Sequence, residues 1–313
     1  MMYSEDEQIC EWAGMSVWRE KIEVKRGNEM KKWNPVERAL VFILLFVILL
    51  CGCNKKTEIA EEKEALKITF FDVGKGDAIL IETKNTSMLI DAGYDETGEE
   101  LLSYLRQQGG QPLDYLVITH FDKDHVGGAD HVLEEVGAEH IFQPDYEGDS
   151  GQYLEYREAL EMAGQQPELV TDTRVLSFDG VECLIYPPQK QEYEEEDNDF
   201  SLVISMTYGD RSFLFAGDCE KERLKELLNQ TEFDLKHDLL KVPHHGRKEK
   251  NSEEFLEAVS PEIAVITCSR EEPGDNKVRK ILQELGTQTY FTFEGTITCL
   301  YDGKKLLRIE QSG

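Results

Sequence analysis

Apolar positions along this chain fall into two regimes. Residues 39–50 read ALVFILLFVILL, twelve apolar residues in succession, and no comparable run recurs. From Leu66 onward the apolar residues come in short runs broken by turn residues, the pattern of strands alternating with helices. Residues 67–73 (KITFFDV) predict a strand that stops at Gly74, residues 77–83 (DAILIET) a second, and residues 87–91 (SMLID) a third. Residues 99–108 place Leu101, Leu102 and Leu105 on one helical face, and residues 115–119 (YLVIT) form a short apolar strand ending at His120. The plan repeats: strands at 181–186, 202–207 and 211–216, then a helix at 220–229 and a strand at 239–242. A helix at 251–259, a strand at 263–267, a helix at 277–285 and three short strands around Tyr290, Ile297 and Leu306 complete the chain. Two βα halves packed as a sandwich with helices outside is the α/β architecture this order predicts. The acid-rich stretch 189–199 reads as an exposed loop.

A helix of twelve residues spans roughly 18 Å, short of the ~30 Å hydrocarbon core, so residues 39–50 fit a signal-peptide h-region better than a membrane span. Met30, Lys31, Lys32 and Arg38 supply the basic segment before it. The following Leu50-Cys51-Gly52-Cys53 resembles the lipobox of bacterial lipoproteins, which implies cleavage before Cys53, lipid on its thiol, and a domain held at the extracytoplasmic face of the membrane. The expected division is an upstream extension at 1–29, a lipoprotein signal peptide at 30–53, a polar tether at 54–65 and one domain at 66–313. A single-span anchor with a cytoplasmic tail is the competing reading of the same run.

Charge narrows the function. With 34 Lys+Arg against 63 Asp+Glu, the formal net charge is −29. A chain this acidic repels phosphate backbones at long range, so general nucleic-acid affinity is disfavoured unless cations or a local basic patch intervene. Four of the seven cysteines, Cys183, Cys219, Cys268 and Cys299, fall in the domain, each within an apolar stretch and without C-x-x-C spacing. Buried free thiols are expected there, and no disulfide framework.

The densest chemical signal is THFDKDHVGG, residues 119–128. His120, Asp122, Asp124 and His125 follow directly on a buried strand, and imidazoles and carboxylates are the donors that Zn²⁺ and Mn²⁺ accept. Two later strands end on further donors: FLFAGD on Asp218, and LLKVPHHG on His244 and His245. Taken singly, Asp218 could cap the next helix and the histidines could be structural. Together they lie at strand carboxyl ends, where a site on such a sheet forms.

These stretches, with FFDVGKGDAILIE, MLIDAG and NDFSLVISMTYGDRSFLFAGD, resemble the metallo-β-lactamase-fold hydrolases, and in particular the branch at the end of ComEC-type DNA-uptake channels. The resemblance implies an αββα sandwich with two divalent ions, Zn or Mn, at one edge of the sheets. Carried over, His120 and Asp122 hold one metal, Asp124 and His125 the other, and Asp218 bridges. His244 is the expected remaining ligand, with His245 behind it or in its place. Asp91 supports the ligands through hydrogen bonds, and Asn198 and Ser201 match an Asn-x-x-Ser pattern of the branch. Asp124 is expected to orient the attacking water, and His245, Lys241 or Arg247 to contact a phosphate. Oxygen donors at Asp122 and Asn198, where the wider superfamily has imidazoles, harden the first position and make Mn²⁺ a competitor there. Lys75 and Arg247 stand where glutamine and serine are usual, and both bear on the substrate.

The expected activity is a surface-anchored, metal-dependent phosphodiesterase acting on nucleic acid or a wall polymer. A phosphorylcholine-type esterase of wall polymers is the alternative within the same chemistry. A non-catalytic metal-binding lipoprotein is a third, which predicts missing ligands.

Overall fold

The computed structural model describes residues 65–194, 196–230 and 234–312. The expected signal peptide, the expected lipidation site at Cys53 and the expected tether up to Glu64 lie outside the described residues. Within them the chain folds into the α/β sandwich that the pattern predicts, two mixed sheets face to face with helices outside.

The first sheet is built from β1 (Leu66–Phe70), β2 (Ile79–Glu82), β3 (Ser87–Ile90), β4 (Leu113–Val117), β5 (Ala138–Pro144) and β6 (Glu168–Val170), closed on the other side by β14 (Thr296–Tyr301) and β15 (Leu306–Ser312). Its order is β15-β14-β1-β2-β3-β4-β5-β6. The second runs β13-β12-β11-β10-β9-β8-β7, using β7 (Arg174–Phe178), β8 (Val181–Tyr186), β9 (Val203–Tyr208), β10 (Arg211–Phe215), β11 (Leu239–Lys241), β12 (Ile263–Ile266) and β13 (Gln288–Phe291). Each sheet is antiparallel at one end and parallel at the other: β3 to β6 run parallel in the first, β10 to β13 in the second. Parallel strands need crossovers, and those crossovers supply the outer helices.

Alternation along the strands sorts side chains into layers. Ile68, Phe70, Ile79 and Ile81 from one sheet meet Cys183, Ile185, Ile204 and Phe213 from the other in the central core. The opposite faces of the same strands, through Leu80, Leu89 and Leu116, bury against α1 (Glu99–Gln107), α3 (Ala129–Glu135) and α4 (Gly151–Ala163). On the far side Leu214, Leu240 and Ala264 pack against α6 (Lys221–Asn229), α7 (Ser252–Val259) and α8 (Asn276–Leu285). The four domain cysteines are free and buried, as their apolar settings predict.

Two differences from the sequence reading have physical causes. The pattern assigns nothing between Gly128 and Val181, yet α3, β5, α4, β6 and β7 lie there. Helix α4 escapes notice because Tyr153, Tyr156, Ala159 and Leu160 bury while Leu154 and Met162 stay exposed, which blurs the apolar stripe. The acidic stretch 189–199 is not simply an exposed loop. Tyr193 is buried, and the short helix α5 (Glu196–Asp199) ends on a buried Asp199. Its Oδ1 accepts from the amides of Glu220 (2.8 Å) and Arg223 (3.1 Å), capping α6. That cap is the role Asp218 could have played, and Asp218 is thereby released for other work.

Candidate metal centre

The parallel halves of the two sheets bring five strand exits together. Asp91 follows β3, the segment 119–125 follows β4, Asp218 follows β10, His244 and His245 follow β11, and Thr267 follows β12. Between His120 and the short helix α2 (Lys123–Val126) the chain turns, and the carbonyl of Asp122 accepts the amides of His125 (2.9 Å) and Val126 (3.0 Å). That turn points Asp124 and His125 inward. Gly76 packs so closely on this segment that a Cβ there would lie 2.6 Å from the Asp124 carbonyl oxygen.

Asp124, His125, Asp218 and His245 form a buried cluster whose donor atoms all lie within 4.8 Å of one another. His125 Nε2 is 3.3 Å from Asp218 Oδ1 and 3.3 Å from His245 Nε2, and His245 Nε2 is 3.0 Å from Asp218 Oδ2 and 3.4 Å from Asp124 Oδ2. Their outer nitrogens are held from behind. His125 Nδ1 donates to Asp91 Oδ2 at 2.7 Å, and His245 Nδ1 donates to the Thr267 carbonyl at 2.8 Å. With a proton fixed on each Nδ1, each ring presents Nε2 to the cluster, the orientation metal-binding histidines use.

His120 follows the same logic. Thr119 Oγ1 donates to Asp91 Oδ2 (2.6 Å), which leaves a lone pair of Thr119 Oγ1 to accept from His120 Nδ1 at 3.0 Å. His120 is wholly buried and its Nε2 has no hydrogen-bond partner among the described residues; the nearest carboxylate oxygen, Asp122 Oδ2, is 3.9 Å away. A buried acceptor left bare in this way costs on the order of 1–3 kcal/mol unless something fills its coordination, and a divalent cation does. The donor set therefore fits the two metals that the motif implies.

His244 does not join the four, contrary to expectation, and His245 takes its place. The chain enters a left-handed turn after Pro243, with φ of 47° at His244 and 50° at His245. Consecutive rings on that turn diverge. His244 Nδ1 lies 3.0 Å from Glu220 Oε1, and its Nε2 is 4.0 Å from the nearest oxygen of Asp218. His245 is correspondingly too enclosed to serve as a phosphate contact, at 2% exposure.

Lys241 was also expected to meet a phosphate; instead it lies at the floor of the site with no exposure. Its Nζ is 2.5 Å from Asp77 Oδ2, 3.2 Å from Asp218 Oδ1 and 2.8 Å from the Gly217 carbonyl. Asp77 in turn accepts from Thr267 Oγ1 at 2.6 Å. Asp77 and Thr267 were not singled out from sequence. The available signal for Asp77 was a carboxylate in the GKGD turn directly before an apolar strand. Ser201 Oγ accepts the Asp218 amide at 3.0 Å and lies 3.4 Å from His120 Nδ1. Asn198 Nδ2 donates to Glu220 Oε1 at 3.0 Å, and its buried Oδ1 has no partner among the described residues. Arg247 is exposed, 3.7 Å from Glu249.

Proton affinities follow from this crowding. Burial works to lower His125, but Asp218, Asp91 and Asp77 overcome it and hold its imidazolium well above the usual range. Burial would raise Asp218, yet His245, His125 and Lys241 hold it well below an ordinary carboxylate. Burial likewise opposes the charge on Lys241, and Asp77 and Asp218 outweigh it, raising the ammonium. His120 goes the other way: burial and the neighbouring His125 push it down, so its ring is neutral. Burial and Asp124 raise Asp122 to about 6.

A family model described as Metallo-beta-lactamase superfamily matches residues 71–270. The chain is 28% identical over 237 residues to ComE operon protein 3 of Bacillus subtilis (strain 168), a match covering 70% of this chain and 30% of that protein. It is 30% identical over 224 residues to Competence protein ComA of Neisseria gonorrhoeae, covering 71% of this chain and 30% of that one. The chain thus spans about 30% of the length of these curated relatives. Among solved structures, the metallo-beta-lactamase fold protein YhfI from Bacillus subtilis is similar with a TM-score of 0.49 and 10% identity, over 72% of this chain and 96% of that one.

Proposed function

Because the chain belongs to the metallo-beta-lactamase superfamily and carries a buried dinuclear His/Asp cluster, we propose that this metal-dependent hydrolase cleaves phosphodiesters. The observation that carries the reading is the position of Asp218. One carboxylate reaches both His125 and His245, and it lies near enough to the bare His120 to act on its charge. A carboxylate that contacts the histidines of one ion and acts on the charge of His120, a donor to the other, suits a pair of cations working together on a displacement at phosphorus. In this reading His120 and Asp122 hold one ion, Asp124, His125 and His245 the other, and Asp218 serves both. One relative, that of Neisseria gonorrhoeae, is named a competence protein, which is consistent with a phosphodiester substrate.

Zn²⁺ or Mn²⁺ bound by His120, Asp122, Asp124, His125, Asp218 and His245 would supply Lewis acidity, which makes water nucleophilic near neutral pH and offsets charge developing on the phosphoryl group. The chain's own residues do the rest. Asp91 and Thr267 fix the rings of His125 and His245, so no reorganisation is needed as charge moves. Lys241 holds Asp218 from below. Asp124, 9% exposed at its side chain, borders the rim and accepts a hydrogen bond from the nucleophile. Burial of His120, His125, Asp218 and His245 excludes bulk water around them and strengthens each of these interactions.

The test is turnover of bis-p-nitrophenyl phosphate by the Zn- or Mn-loaded full chain, beside nitrocefin. Cleavage of the diester and not of the lactam is the expected result; the reverse overturns the reading. The net charge of −29 favours a second substrate within the same chemistry, a phosphorylcholine-bearing wall polymer whose quaternary ammonium offsets its phosphate charge, rather than DNA. DNA left intact at low salt by an enzyme active on the chromogenic diester selects it. The lipobox-like Cys53 places the domain at the outer face of the membrane in this proposal. Labelling of the full chain and of Cys53→Ala with radioactive palmitate during expression checks it: lipid is expected on the first and not on the second, and no label on the first refutes the lipid anchor.

A further inference from the structure

A cleft of about 350 Å³ opens beside the cluster, bordered by His244 and His245 on the inside and by Lys75, Arg247, Glu272 and Asp275 further out. That volume is at the small end of ligand sites, yet larger than a single phosphate requires. In a chain with almost twice as many acids as bases, two cations at the mouth of one cleft are conspicuous.

Both cations stand on fixed backbone. The loop bearing Lys75 is pressed against the cluster segment by the close approach of Gly76, and the amide of Asp77 donates to the Asp124 carbonyl at 3.0 Å. Lys75 Nζ lies 3.6 Å from Asp124 Oδ2, at the rim, with a third of its side chain exposed. Elsewhere on the lining the Arg247 amide donates to the His244 carbonyl at 2.8 Å, and the Asp275 amide donates to the Gly246 carbonyl at 2.9 Å. Asp275 Oδ2 accepts the Lys248 amide at 2.7 Å, so this carboxylate is engaged in holding the wall. Glu272 is exposed at the mouth of the cleft. The guanidinium of Arg247 is two-thirds exposed, with Glu249 no nearer than 3.7 Å, which leaves its donors available to a ligand.

We propose that Lys75 and Arg247 form an anion subsite beside the cluster, so that the preferred substrate is a phosphodiester carrying a second phosphate next to the scissile one. The inference rests on the phosphodiesterase reading and names the substrate class within it. The scissile group belongs to the cluster; the subsite binds the neighbouring charge and sets the reach of the substrate along the cleft. Glu272 opposes that charge and limits the preference. Exposed pairs of ordinary strength at two positions multiply to about tenfold, an effect that fades with added salt.

The experiment compares a dinucleoside phosphate with the same dinucleotide phosphorylated at its 5′ or 3′ end, using the metal-loaded full chain at low ionic strength. One phosphorylated form is expected to show about tenfold higher kcat/KM, lost at high salt. In Lys75→Gln/Arg247→Ser the ratio falls towards one, and in Glu272→Gln it rises. Binding of the corresponding phosphorothioates to the metal-free chain, measured at equilibrium, tests the subsite apart from the chemistry. A preference that the double substitution leaves unchanged, or no preference in either measurement, overturns the subsite. Binding preference that depends on Lys75 and Arg247, with neither dinucleotide cleaved, overturns the phosphodiesterase reading and keeps the subsite.

Discussion

The two halves of the metal centre are built to different standards. Around Asp124, His125, Asp218 and His245 every ring is braced from behind, by Asp91 or by Thr267, and the shared carboxylate rests on a fully buried Lys241. Around His120 the bracing reaches only the ring itself. Asp122, the carboxylate nearest to His120 Nε2, stands 3.9 Å off with 38% of its side chain exposed, and the amide of Asn198 is turned onto Glu220. Preorganisation governs how tightly a cation binds and how well it resists exchange. One position should therefore hold its ion firmly, while the other fills weakly and responds to the choice of metal.

The sharpest way to break this comparison is to remove what the halves share. Asp218→Ala is expected to lower diester turnover by roughly a thousandfold, on the order of 4 kcal/mol in the transition state. Retention of more than a tenth of the activity in a steady-state assay contradicts a shared carboxylate. Next in size is the floor of the braced half. Lys241→Met leaves Asp77 buried without its cation, and breaking a buried pair costs roughly 3–5 kcal/mol. Urea denaturation should show that loss, and the combined Lys241→Met/Asp77→Leu should recover part of it.

A smaller effect separates adjacent histidines. His245→Ala should lose the firmly held metal, while His244→Ala keeps it, as read by elemental analysis after gel filtration. The smallest concerns acid. With its carboxyl raised to about 6, Asp122 is protonated over much of the range below that value, and protons then compete with the cation. Metal uptake at the open half should weaken as pH falls through about 6, whereas uptake at the braced half, where the raised imidazoliums of His125 and His245 must first lose their protons, should begin to weaken at higher pH. In the metal-free chain the sign for stability is opposite: a carboxyl raised by burial favours its neutral form, so this group's contribution declines as pH rises from 3.8 through about 6.

Much of this was legible because strand carboxyl ends gather donors, and the donors themselves are written in local motifs. The segment His120 to His125 and Asp218 after its glycine could be read from neighbouring residues alone, while the supporting role of Asp91 came with the family resemblance. What was hidden depended on the third dimension. The order His244-His245 gives no hint which ring faces inward, since that choice is made by a left-handed turn after Pro243. Lys241 reads as a surface base next to a site, and only the pairing of β10 with β11 buries it between Asp77 and Asp218. Helix α4 packs through tyrosines and therefore carries little apolar periodicity.

The central claim is the inequality of the two halves, and calorimetric titration of the metal-free full chain with Mn²⁺ and with Zn²⁺ tests it most directly. Two binding steps of unequal affinity are expected, the tighter abolished by His245→Ala and the weaker by Asp122→Ala. A single step, two equal steps, or loss of the tighter step in His244→Ala instead, contradicts the account.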